Sequence, residues 1–133
     1  MQLSYLCILV ACLLPIVAAG MAKWGSFTRP PSQGGYDNRD PRAWLAQQTG
    51  RRARANAAQA NSFEALPLFI AAVLAAQQMQ VAQPLIDGLA MTFVVLRVGY
   101  IGLYVANLAT ARTLVWLAGL SVNVALLLAP WWA

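Results

Sequence analysis

Histidine is absent from this 133-residue chain, and only four residues are acidic. Without imidazole, zinc and haem sites of the usual kinds are not expected, and no metal is assigned. The two cysteines, Cys7 and Cys12, lie five residues apart in one apolar run. On a helix they point to different faces, too far round for a disulfide, and read as buried small apolar residues. No nucleophile triad, glycine-rich phosphate loop or internal repeat is present. Charge is scarce too, at 10% of residues, whereas hydrophobic residues make up 60%, well above the 45–50% of soluble domains.

The apolar residues gather into four stretches, near Leu3–Ala22, Ala57–Gln77, Pro84–Asn107 and Thr113–Trp132. Each is long enough to cross about 30 Å of hydrocarbon as a helix. The fold class expected is all-α: residues 1–133 form one four-helix integral membrane unit, with no separate soluble domain. The first stretch is read as a retained helix rather than a leader, because no basic segment precedes it and Lys23 follows it.

The net charge of +5 does not point to nucleic acid. Seven of the nine basic residues (Lys23, Arg29, Arg39, Arg42, Arg51, Arg52 and Arg54) fall in or beside the first inter-span loop. That asymmetry predicts a cytoplasmic loop with both termini outside, and a surface suited to anionic lipid. Within this loop, Asp40-Pro41 is a helix-start signal. It predicts a short helix over Pro41–Gln48, stopped by Gly50, with Trp44 and Leu45 at the membrane interface. Trp131 and Trp132 form the outer aromatic belt.

Some of the few charges lie at membrane depth, where each costs several kcal/mol unless it faces protein or water. Arg54, Asn61 and Glu64 share one face of the second span. Arg97, Tyr100, Tyr104 and Asn107, at i, i+3, i+7 and i+10, share one face of the third. Asp87 is expected in the first turn of that span, favouring its dipole. A Glu64–Arg97 ion pair is the simplest way to neutralise both charges. Pro67 is expected to kink the second span rather than end it. Two readings remain open: the polar residues fix helix register, or they line a pocket for a zwitterionic or anionic ligand. A third reading makes Glu64 the carrier of a small proton-coupled exporter.

The run Arg52–Phe69, RARANAAQANSFEALPLF, resembles the second-helix signature of the MAPEG family, membrane-associated proteins in eicosanoid and glutathione metabolism. Its elements are Arg54, Asn61, Glu64 and Pro67. The third span carries the matching R-x-x-Y-x-x-x-Y of Arg97, Tyr100 and Tyr104. YDNRDPR, Tyr36–Arg42, is similar to the loop of small bacterial members, which implies a multi-pass protein of a bacterial inner membrane. The resemblance implies a homotrimer binding glutathione between subunits, as a transferase or peroxidase acting on lipophilic electrophiles. It implies that Asn61, Glu64, Tyr100 and Tyr104 contact glutathione and that Gln59 reaches in from the neighbouring subunit. Arginines, here Arg54 and Arg97, would take the carboxylates and Glu64 the ammonium. Arg112 is the candidate for thiol activation, one residue from the family's position. Ala57 and Ala65 stand where the family has arginine and tyrosine. A non-catalytic member with purely structural polar residues is the alternative.

Overall fold

The computed structural model describes residues 2–133. Four helices in it are long and apolar enough to cross a membrane: α1 (Leu3–Lys23), α3 (Gly50–Gln78), α4 (Gln83–Val105) and α5 (Ala109–Leu127). Two short α-helices, α2 (Pro41–Ala46) and α6 (Ala129–Trp132), and two 3-10 turns in the first loop, Ser26–Thr28 and Pro31–Gln33, complete the element order. α3 lies at the centre, packed on α1, α4 and α5, while α1 and α5 each also pack on α4.

Small residues set the close approach of α1 to α3. The buried positions of α1 are Ser4, Cys7, Ala11, Pro15, Ala18 and Ala22, at intervals of three and four. That is one stripe at the helical period, so these side chains share a single face of α1. α3, packed on α1 and α4, buries Ala55, Ala58, Ser62, Phe69, Ala72, Val73 and Ala76. In lipid, where tails are as apolar as leucine, such packing is what holds helices together. A stacked pair, Phe69 on Phe93 with centroids 4.2 Å apart, joins α3 to α4. Such a pair contributes about 0.5–1.5 kcal/mol beyond burial. Pro67 lies inside α3 without ending it.

Several boundaries differ from the sequence reading. α3 begins at Gly50, so Gly50 starts the long helix rather than stopping α2. Asp40 caps α2 as expected, its Oδ1 accepting from Ala43 N–H at 3.2 Å. α4 ends at Val105, so Asn107 leaves the polar face and takes a left-handed backbone, φ 64°. There Asn107 N–H reaches Tyr104 C=O and Leu108 N–H reaches Leu103 C=O, the two bonds of a Schellman cap. Gln80, φ 58°, closes α3 in the same way, through Gln80 N–H to Gln77 C=O and Val81 N–H to Ala76 C=O.

Asp87 lies in the second turn of α4 and serves another helix. Its Oδ1 accepts the Ser4 backbone N–H at 2.8 Å, one of the donors that the start of α1 leaves unpaired. The first loop is folded rather than a loose basic strand. Phe27, Tyr36 and Trp44 stack edge to face at 5.3 Å, Lys23 lies over Tyr36, and Trp44 Nε1 donates to Gly34 C=O. Trp44 is therefore 6% exposed and part of the loop core, whereas Trp24 is 83% exposed. A Cβ on Gly35 would stand 1.8 Å from the Arg29 carbonyl oxygen, so only glycine fits there.

Candidate functional site

The α3–α4 and α4–α5 contacts bring one column of side chains together at the end of the bundle that carries the first loop. Arg97, 4% exposed, donates from Nη2 to Ser62 Oγ at 3.2 Å, and Ser62 Oγ donates to Ala58 C=O. The Arg97 guanidinium lies 4.1 Å from the Tyr100 ring centroid. Tyr100 meets Tyr104 edge to face at 5.7 Å, and the Arg112 guanidinium lies 4.2 Å from the Tyr104 centroid. Two cations are thus held by two aromatic faces, which attract positive charge without neutralising it. Arg112, from the first turn of α5, reaches this group.

Two adjoining cavities open beside the column. One, of about 190 Å³, is lined by Asn61, Tyr100, Tyr104, Arg112, Thr113 and Trp116. The other, of about 150 Å³, is bordered by Asn61, Glu64, Arg97, Trp116 and Asn123, with Ala65, Leu68, Phe93, Gly119 and Leu120 as its apolar wall. Asn61 and Trp116 belong to both. The Oδ1 atoms of Asn61 and Asn123 are buried and have no hydrogen-bond partner. Buried polar atoms are almost always paired, because a lost hydrogen bond in a low-dielectric interior costs about 1–3 kcal/mol. Both residues line the smaller cavity, and neither acceptor is satisfied within the subunit.

The Glu64–Arg97 ion pair does not form within the subunit. Ser62, not Glu64, is the α3 residue turned towards α4, and it takes the Arg97 donor. Glu64, two residues on, is turned about 160° round the helix, and it is exposed. Arg54 lies outside both cavities, its Nε donating to Val105 C=O at 3.0 Å and so binding the end of α4. Gln59 lines neither cavity; its Oε1 is buried without a partner. The structure therefore gathers Asn61, Glu64, Arg97, Tyr100, Tyr104 and Arg112 and leaves Arg54 and Gln59 apart.

Sequence reasoning missed three residues. Ser62 was hidden between the more conspicuous Asn61 and Glu64. Trp116 and Asn123 lie on α5 with Gly119, at i, i+3 and i+7, one helical face that faces the cavity. Asn123 is 3% exposed. The same period that found the face of α4 finds this one, but a single amide in an apolar run gives little signal.

Comparison with curated proteins and with solved structures gives no match. The family model does match, over residues 3–132, nearly the whole chain. With four apolar helices and the Arg97-Tyr100-Tyr104 column in place, the chain is a multi-pass membrane protein that belongs to the MAPEG family.

Proposed function

We propose that this protein is a homotrimeric membrane enzyme that binds glutathione or a similar thiol at the paired cavities and transfers it to lipophilic electrophiles. The loop end would face the cytoplasm, as the clustering of basic residues there favours. The observation that carries the reading is Arg112, held over Tyr104 and lining one cavity with Asn61 and Tyr100.

The residues suit a zwitterionic tripeptide. Arg97 offers a cation for a carboxylate, and Glu64 with the free oxygens of Asn61 and Asn123 offers acceptors for an ammonium. Even together the cavities lie at the low end of the range of ligand pockets, roughly 300–1,000 Å³, so a second subunit would supply a further wall. Glu64 supports that assembly. It lies with Ala60, Phe63, Pro67, Ala71 and Leu74 on an exposed stripe of α3. A carboxylate facing lipid costs about 2.5–3.5 kcal/mol or more, a cost that another copy offsets by placing a cation or donor against it. The number three is that of the family.

Bound glutathione supplies the thiol nucleophile. Arg112 favours its deprotonated form by placing a fixed positive charge beside the sulfur in a water-poor site. Tyr104 holds that guanidinium in place. Leu68, Phe93 and Leu120 give an apolar wall for an electrophile arriving through the bilayer.

The test uses purified protein in detergent, with glutathione and an activated aryl chloride. Glutathione should raise the melting temperature, and chloride release should accompany formation of the thioether. Arg112→Ala should lower kcat by roughly 10²–10³ while glutathione still stabilises the protein. No glutathione-dependent shift and no thioether would sink the proposal. They would favour the structural reading, which the internal Arg97–Ser62 bond supports. Native mass spectrometry should show trimers; monomers alone would remove the intersubunit wall.

A further inference from the structure

Away from these cavities, a groove of about 560 Å³ runs between the end of α1 and the start of α3. It is lined by Val17, Gly20, Met21, Trp24, Arg51 and Arg52. Val17, Gly20, Met21 and Trp24 follow one face of α1, a rise of about 10 Å from Val17 to Trp24. One end of the groove is apolar and the other basic. We propose that it binds an anionic phospholipid, with the phosphate at Arg51 and Arg52 and the first part of an acyl chain along Val17, Gly20 and Met21.

Three observations support this occupant. First, the charge is not cancelled locally. The two acids of the loop are engaged by backbone donors: Asp37 accepts from Arg39 N–H and Asp40 from Ala43 N–H. Second, Arg52 is held in position. Its Nη2 donates to the Trp24 carbonyl at 3.2 Å, and its guanidinium lies 5.7 Å from the Trp44 ring centroid. A cation fixed in this way loses less side-chain freedom on meeting a phosphate than a free one. Third, Gly20 keeps the groove open: no atom lies within 4 Å of where its Cβ would stand. Trp24 is the exposed indole at the boundary, the position tryptophan favours between headgroups and hydrocarbon.

The same feature supplies the test. A side chain at Gly20 meets no neighbour, so Gly20→Leu should fold and fill the groove, while Arg51→Gln removes one phosphate partner. Delipidated protein in non-ionic detergent would be titrated with phosphatidylglycerol or phosphatidylcholine and read by native mass spectrometry. Wild type should retain phosphatidylglycerol in preference. Arg51→Gln should weaken that retention about fivefold, the effect of roughly one basic residue at an anionic surface. Gly20→Leu should weaken it at unchanged melting temperature, and Arg42→Gln, on α2, should leave it unchanged. Equal retention of the two lipids, or retention unaffected by both groove variants, would overturn the proposal. So would displacement by millimolar inorganic phosphate, which would make the site one for free anions. A lower oligomer mass for Gly20→Leu would show the groove to be covered by another copy of the chain, and would also overturn it.

Discussion

The end of the bundle where α1 begins and the cavities between α3, α4 and α5 treat buried polar groups in opposite ways. At the end where α1 begins, Ser4, Gln77, Gln83 and Asp87 satisfy one another. Asp87 Oδ1 takes the Ser4 N–H and Gln83 Nε2, and Ser4 Oγ takes Gln77 Nε2 at 3.0 Å. Ser4 is 0% exposed, and its backbone donor is capped from a different helix. Around the cavities further along the bundle, Asn61 and Asn123 keep free acceptors, and Glu64 stands exposed on a membrane helix. A closed network specifies register. An open one, in a medium without water to compensate, implies an occupant or a second subunit. The difference separates residues that build the fold from those available for function, within one small protein.

That contrast can be broken by substitution, and the largest effect belongs to the closed end. Asp87→Ala strands the buried Ser4 N–H and should cost about 1.5–3 kcal/mol. The check is a lower melting temperature in detergent, with glutathione affinity per folded molecule unchanged. An unaltered melting temperature would show that the network contributes nothing to stability. In the cavity, Asn123→Leu should behave in the opposite sense. It removes an unpartnered acceptor, so stability should hold or rise, while glutathione binding should weaken about tenfold, or about 1.4 kcal/mol. Titration calorimetry and thermal melting on the same sample separate the two effects. A large fall in melting temperature would place Asn123 with the structural residues instead.

The smallest effects are in the two caps, one at each end. Gln80 at the end where α1 begins and Asn107 at the first-loop end both have positive φ. Glutamine fits that conformation poorly, so Gln80→Gly should stabilise by about 0.5–1 kcal/mol. Asparagine tolerates it, so Asn107→Gly should gain only a few tenths of a kcal/mol. Equal gains in melting temperature would mean that the cap residue's own preference is not what matters.

Much of this protein is determined by sequence alone. The four spans follow from apolar length, the start of α2 from Asp40-Pro41, and the shared face of Arg97, Tyr100 and Tyr104 from a helical period. The residues of the family signature are legible for the same reason: each is a regularity within one helix or its boundary. Tertiary structure decided the pairings. It gave Arg97 to Ser62 rather than Glu64, gave Asp87 to the start of α1, drew Trp44 into the loop core, and brought Asn123 to the cavity. It also brought Arg112 to Tyr104 across the α4–α5 turn. Helical periodicity fixes which residues share a face. Which partner a buried charge finds depends on how separate helices meet, because its energy comes from atoms far apart in the chain.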